Sequence, residues 1–192
     1  MLTALVIAVL VGVAARVRGG SVHDLAETTF RWTPLLVAGL VVQLVFVYWD
    51  PEWLGDAGGL AVVLGSNAAV AVWLVANRAL PGLTLAGAGM ALNVLVIAAN
   101  GAMPVLERSA EAAGVARSLE DASLKHEILD DDTVLPWLGD VIPIPPFKEV
   151  LSVGDVVLAL GLARVVDARM MAHRKPRHSV DATREGPSSA SD

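Results

Sequence analysis

The sequence predicts an all-α integral membrane protein: a bundle of about five transmembrane helices with a partly non-helical outer loop packed on it. Three observations favour this class. The chain of 192 residues is 55% hydrophobic and only 18% charged, whereas a soluble domain is a quarter charged. Its apolar residues form long runs of the kind that cross bilayers. Its basic residues are distributed unevenly between those runs, as the positive-inside rule requires.

Five segments are apolar enough to span a membrane. They cover residues 2–15, 34–49, 58–76, 83–99 and 153–166. The first and the last are shorter than the ~20 residues that a span needs, but flanking residues can extend each of them. Arg16 and Arg18 follow the first apolar run, whereas a signal peptide carries its positive charge before that run. An uncleaved first span is therefore favoured.

The distribution of positive charge orients the bundle. With the N-terminus outside, the outer segments hold only four of the 14 lysines and arginines, namely Arg108, Arg117, Lys125 and Lys148. The remaining ones lie in inner segments, which is the bias expected of a plasma-membrane protein with a cytoplasmic C-terminus. Between the first two spans, Ser21 and Asp24 have capping-box spacing and predict a short helix on the inner membrane surface.

The chain is expected to form one transmembrane domain, residues 1–170, with an outer lid at residues 100–152. Residues 171–192 are too polar to bury a core and predict a disordered cytoplasmic tail. The basic start of this tail is expected to contact anionic lipid of the inner leaflet. A membrane or extracytoplasmic protein is a further possible partner, and no nucleic-acid partner is expected.

Three amide side chains lie near the middle of predicted spans: Gln43, Asn67 and Asn93. A polar side chain in hydrocarbon needs a partner, and three at one depth can satisfy each other. They predict an intramembrane cluster that joins the helices; the alternative is a polar floor for a pocket or pathway. Small residues at Gly65 and Gly87 predict close packing between the third and fourth spans.

The outer segment is acidic and contains a proline-rich part after Pro136 that excludes regular helix. Its apolar residues, Trp137 and Leu138 among them, predict that it folds back onto the helices.

Four short patterns occur in order along the second half of the chain. They are Asn100-Gly101-Ala102-Met103-Pro104-Val105, Lys125-His126, Leu138-Gly139-Asp140 and Ser152-Val153-Gly154-Asp155. Together they resemble a bacterial family of small multi-pass membrane proteins classified as a domain of unknown function. The resemblance covers residues 93–161, and Ala102 departs from the glycine or polar residue expected there. It implies an architecture and the location of a site, and it implies no reaction.

No catalytic signature is present. The absence of cysteine excludes thiol catalysis and disulfides, and His126-Glu127 lacks the second histidine of a zinc-protease helix. No cofactor or metal is predicted, although Asp140 and His126 with the acidic run at residues 130–132 could chemically hold a divalent cation.

The candidate ligand- or partner-binding residues are Asn100, His126, Asp140 and Asp155. Each has a structural alternative: Asn100 as part of a helix stop, His126 as a surface hydrogen-bonding residue, Asp140 as a lock for the loop, and Asp155 as a helix cap paired with Ser152. The expected function is non-enzymatic binding of a partner or a small or lipidic ligand at the outer face. The alternative is a membrane-embedded enzyme or a transporter that uses the outer carboxylates.

Overall fold

The computed structural model describes residues 2–48, 54–115 and 126–172, and it is mostly helical. The helices are α1 (Leu2–Val17), α2 (Val22–Ala26), α3 (Thr33–Tyr48), α4 (Gly55–Ala76), α5 (Leu83–Asn100), α6 (Glu107–Ala113) and α7 (Val153–Met170). The strands are β1 (Met103–Val105), β2 (His126–Ile128), β3 (Asp140–Ile144) and β4 (Glu149–Ser152), with 3-10 turns at Pro136–Leu138 and Pro145–Phe147. The tail predicted for residues 171–192 lies outside the described residues from position 173 onward.

The segment between α5 and α7 contains a four-stranded sheet in the order β2-β1-β3-β4. Strand β1 is parallel to β2 and to β3, and β3 is antiparallel to β4. The prediction of a mostly helical chain is confirmed, but the all-α class misses this sheet. The strands are too short to show an alternating pattern, and Pro104 and Pro143 lie inside two of them, where proline normally argues against a strand.

The five predicted spans coincide in position with α1, α3, α4, α5 and α7. Two helices in the described residues are long and apolar enough to cross a membrane, at Ala57–Ala76 and Leu83–Asn100. Helices α1 and α3 are apolar but shorter, and α7 carries four charged residues, Asp155, Arg164, Asp167 and Arg169. The structure thus shows two membrane-capable helices rather than five, which suggests membrane association.

The helices pack in the order α3, α4, α5, α7, α1, so that α5 lies between α4 and α7. One apolar core joins the C-terminal end of α4, the N-terminal end of α5 and the C-terminal part of α7; its buried members are Val70, Trp73, Leu74, Leu83, Ala86 and Val165. The loop before α3 contributes Phe30, whose ring centroid lies 5.3 Å from that of Trp73. The predicted short helix is confirmed as α2, where the Ser21 hydroxyl accepts a hydrogen bond from the Asp24 N–H at 3.4 Å.

The closest approach between helices lies between α5 and α7. At Gly89 a Cβ atom would collide with the Gly154 carbonyl and the Leu158 backbone nitrogen, so that only glycine fits there. The glycines predicted to bring α4 and α5 together do not make such contacts. A Cβ atom at Gly65 would meet no atom within 4 Å, and one at Gly87 would meet only the Leu74 Cβ at 3.9 Å. The tight interface therefore uses another face of α5 than the sequence predicts.

Two glycine-to-alanine substitutions test this interface. Gly89→Ala should destabilise the protein by about 1–3 kcal/mol, because the methyl group forces α5 and α7 apart. Gly65→Ala is the matched control and should be neutral or stabilising by up to about 1 kcal/mol, because the site is open and alanine is the better helix former. Thermal unfolding of both variants in detergent micelles measures the difference. Equal stability of the two variants would contradict the close α5–α7 contact.

Candidate functional site

Ser152 ends β4 and is also the N-cap residue of α7. Its hydroxyl accepts a hydrogen bond from the Asp155 N–H at 2.9 Å, and the Asp155 Oδ2 accepts one from the Ser152 N–H at 3.1 Å. These two reciprocal bonds form a capping box, in which aspartate replaces the usual glutamate. The interpretation of Asp155 as a helix cap is confirmed, and its negative charge also complements the dipole of α7.

Asn93 on α5 completes this arrangement from across the helix interface. Its Nδ2 donates to the Asp155 Oδ1 at 2.8 Å, and its Oδ1 accepts from the Ser152 hydroxyl at 2.9 Å. We call the side chains of Asn93, Ser152 and Asp155 the Asn93 network. A Cβ atom at Gly154 would collide with the Asn93 amide, so the glycine is needed for this contact. The network joins α5, β4 and α7 by side-chain hydrogen bonds.

Asp140 begins β3 and pairs with Ser152 in the sheet register, which brings the two Gly-Asp steps of the sequence together. Its residue surface is only 6% exposed. Burial, and secondarily the negative charge of the Asp155 carboxylate, raises the pKa of Asp140 to about 8. At neutral pH the Asp140 carboxyl therefore holds a proton and can act as a hydrogen-bond donor.

Asn100 lies at the end of α5, where Gly101 adopts a left-handed conformation with φ of 85°. The predicted helix stop is confirmed. The Asn100 side chain also binds the backbone of Val134: its Nδ2 donates to the Val134 carbonyl at 3.0 Å, and its Oδ1 accepts from the Val134 N–H at 2.8 Å. These bonds fix the chain just before the Pro136–Leu138 turn. His126 begins β2 opposite Met103, and its side chain is outside what the structure describes.

The three amides predicted to form one cluster make no hydrogen bonds with one another in the described part of the chain. Asn67 donates to the carbonyl of Val63 in its own helix at 2.8 Å, and the Nε2 of Gln43 is buried without a hydrogen-bond partner among the described residues. Asn93 instead bonds to Ser152 and Asp155. The prediction of mutual hydrogen bonding is wrong for Asn93, because that side chain faces the interface between α5 and α7, away from α3 and α4.

Two grooves lie elsewhere on the molecule. The first, which we call the cap groove, has a volume of about 710 Å³ and is lined by Leu106, Arg108, Ser109, Leu129, Pro136, Trp137, Val141 and Pro143. The second, which we call the Arg31 groove, has a volume of about 410 Å³ and is lined by Arg31, Trp32, Ala71, Val72, Val75 and Ala76. Neither groove is lined by Asp140 or Asp155. Sequence reasoning missed both, because each combines residues from segments that are distant in the chain.

Among the side chains that the structure describes, no three histidines, aspartates or glutamates are placed to share a metal ion. The side chain of His126, which the sequence analysis considered as a ligand, lies outside that set. Asp140 and Asp155 lie near each other, but the Asp155 oxygens are both engaged by the Asn93 network. The arrangement at these carboxyls can hold a proton on Asp140 and lock β4 to α7.

The fold and these contacts define a mostly helical protein with two membrane-capable helices and a small sheet joined to the helix ends by the Asn93 network. Residues 27–166 match DUF5317, a family of unknown function, and the chain belongs to that family. The predicted resemblance to a domain of unknown function is thereby confirmed. No curated protein and no solved structure matches the chain at a significant level.

Asp140→Asn should remove a pH dependence of stability. The pKa of Asp140 is raised from 3.8 to about 8 on folding, so the folded protein binds this proton more tightly than the unfolded chain does. Wild-type stability should therefore fall as pH rises from about 4 to about 8. The variant should lack this decrease and be more stable than wild type at pH 9.

Thermal unfolding between pH 4 and pH 9 measures the effect, with the exposed Asp131→Asn as the control that retains the wild-type slope. Parallel profiles for wild type and Asp140→Asn would show that Asp140 does not carry the proton.

Proposed function

We propose that this chain is a non-enzymatic integral membrane protein of the plasma membrane that binds a small amphipathic ligand at its outer face. In this proposal five helices span the bilayer, the N-terminus is outside, and residues 171–192 form a cytoplasmic tail that contacts anionic lipid. The sheet and α6 form an outer cap over the end of α5. The proposed ligand site is the cap groove. The presence of this groove is the observation that supports the binding function most directly.

The exposed apolar surface of the helices supports membrane insertion. Only 28% of the apolar window in α4, and the same share in α5, is buried inside the protein. Helix α1 exposes Leu5 and Leu10 by 61% and 62%, and α3 exposes Leu44 by 58%. The core helix of a soluble protein would bury most of such residues, whereas lipid covers them at no loss of free energy.

The ends of the helices support the orientation. Arg18 near the end of α1 and Arg164 on α7 both pair with Asp167, and the Arg169 Nε donates to the Thr28 hydroxyl at 2.8 Å. These cations gather at the end of the bundle opposite to the cap. A concentration of arginines at one end of a membrane bundle is typical of its cytoplasmic side.

The lining of the cap groove suits a small amphipathic anion. Arg108 supplies the only charge among the eight lining residues, and six of the others are apolar or proline. Trp137 is 63% exposed on the Pro136–Leu138 turn, which Leu138 anchors in the apolar core beside Val96. A groove of about 710 Å³ is of the size that holds small ligands.

The carboxylates predicted from sequence are a weaker location for this ligand. Asn100 and Asp155 use their side-chain atoms in bonds to Val134, Ser152 and Asn93. Asp140 favours a second candidate function, because a buried protonated carboxyl is the kind of group that proton-linked transporters use. That alternative needs a path to Asp140, and neither groove is lined by it.

Cysteine labelling tests the orientation, and the chain has no cysteine of its own to interfere. An impermeant thiol reagent applied to intact cells should label Asp131→Cys, because residue 131 is exposed in the turn after β2. It should not label Arg78→Cys until the membrane is opened. Labelling of Arg78→Cys in intact cells would show that the orientation is opposite to the one proposed. If neither position reacts after the membrane is opened, the exposure of residues 78 and 131 on which the proposal relies is contradicted.

Photo-crosslinking tests the ligand site. A benzophenone amino acid at position 137 should form an adduct with a small amphiphile in intact cells, because that side chain lines the cap groove. The same amino acid at position 111 is the control: Glu111 is exposed on α6 but outside the groove. Mass spectrometry of the purified protein identifies the adduct. A protein adduct, or identical products at both positions, would contradict a small-ligand site.

A further inference from the structure

We propose that the Arg31 groove binds the phosphate headgroup of an anionic phospholipid from the cytoplasmic leaflet. This site lies at the end of the helices opposite to the cap and is separate from the outer-face function. The inference rests on the membrane insertion proposed above, but it does not depend on the ligand of the cap groove.

The groove combines a loop with the last turns of a membrane-capable helix. Arg31 and Trp32 come from the loop between α2 and α3, and the floor is formed by Ala71, Val72, Val75 and Ala76 of α4. Val72 and Val75 are 46% and 62% exposed, so that the floor continues into the apolar surface of α4 that faces lipid. A lipid whose chains lie along α4 would therefore carry its headgroup to the loop.

A buried amide holds the loop in place. The Asn77 Oδ1 accepts a hydrogen bond from the Arg31 N–H at 2.7 Å, and the Asn77 Nδ2 donates to the Arg31 carbonyl at 2.9 Å. The same Nδ2 also donates to the Trp73 carbonyl at 2.8 Å, and Asn77 is only 5% exposed. Both backbone polar groups of Arg31 are thus fixed to the end of α4.

The backbone beside this clamp is strained. Trp32 has a φ of 58°, in the left-handed region that a bulky residue rarely adopts. Such conformations persist only where surrounding contacts impose them, and they concentrate at functional sites. Here the conformation places an exposed tryptophan beside an arginine at the end of an apolar groove. Tryptophan is enriched at the headgroup level of membranes for the same amphipathic reason.

The charge of the groove favours an anion. Arg31 is the only charged residue among the six that line it. Arg18 and Arg164 at the same end of the bundle pair with Asp167, whereas no carboxylate in the described part of the chain pairs with the Arg31 guanidinium. Arginine binds phosphate through parallel N–H donors. The lining offers a free phosphate ion little else, because the other side chains are alanines, valines and a tryptophan.

Native mass spectrometry of the purified full chain in detergent tests the site, with phosphatidylglycerol as the anionic probe and phosphatidylcholine as the zwitterionic one. Arg31→Gln should weaken phosphatidylglycerol binding about tenfold, as expected for the loss of one charge-assisted contact. Arg78→Gln is the matched control, since Arg78 is exposed just after α4 and does not line the groove. Phosphatidylcholine binding should be the same in all three proteins.

A second variant guards against a folding artefact. Arg31→Lys keeps the positive charge and leaves the Asn77 clamp intact but lacks the parallel N–H donors, and it should bind phosphatidylglycerol with an affinity between those of wild type and Arg31→Gln. Equal effects of Arg31→Gln and Arg78→Gln would overturn the proposal. Full competition by inorganic phosphate would also overturn it, because the site would then take the free ion.

Failure of this inference can be told from failure of the proposed function. Release of the protein from membranes by alkaline carbonate would contradict the membrane insertion on which both proposals depend. Normal membrane retention with unchanged phosphatidylglycerol binding in Arg31→Gln would overturn the Arg31 site alone, and crosslinking at position 137 would be unaffected.

Discussion

The arrangement of the sheet over the helix ends depends on the hydrogen bonds of the Asn93 side-chain amide. It bonds at once to Ser152 and Asp155, and Ser152 is both the last residue of β4 and the cap of α7. The bond is possible only because Gly154 has no side chain in its way. Since β4 pairs with β3 and β3 with β1, the position of the whole sheet over α5 and α7 follows from this contact.

The same contact explains why the two neighbouring aspartates differ. Asp155 accepts N–H bonds from Asn93 and Ser152 with its two carboxylate oxygens. Asp140 is buried beside that charge, and its pKa is raised to about 8. Burial and the nearby Asp155 carboxylate both disfavour the charged form of Asp140. Asp155 and its hydrogen bonds therefore lock β4 to α7, with the buried Asp140 carboxyl beside them.

Features that depend on neighbouring residues could be predicted from the sequence, whereas contacts between distant segments could not. The helix positions followed from apolar runs, and the Ser152-Asp155 cap followed from its three-residue spacing. The sheet could not be predicted because its strands have only three to five residues and two of the four contain a proline. Asn93 was correctly singled out as polar, but its partners lie 59 and 62 residues away, and no pattern in one sequence pairs them. The two grooves could not be predicted for the same reason, because each is lined by segments that are distant in the sequence.

An exchange of the amide and the carboxylate tests the Asn93 network most directly. Asn93→Asp places two carboxylates together, and Asp155→Asn turns an amide NH2 donor toward another donor, so each alone should destabilise the protein by about 1–3 kcal/mol. The double variant restores acceptors to every donor of the network. Thermal unfolding in detergent should then show recovery of most of the loss, with a coupling above about 1 kcal/mol. Simple addition of the two losses would contradict the account.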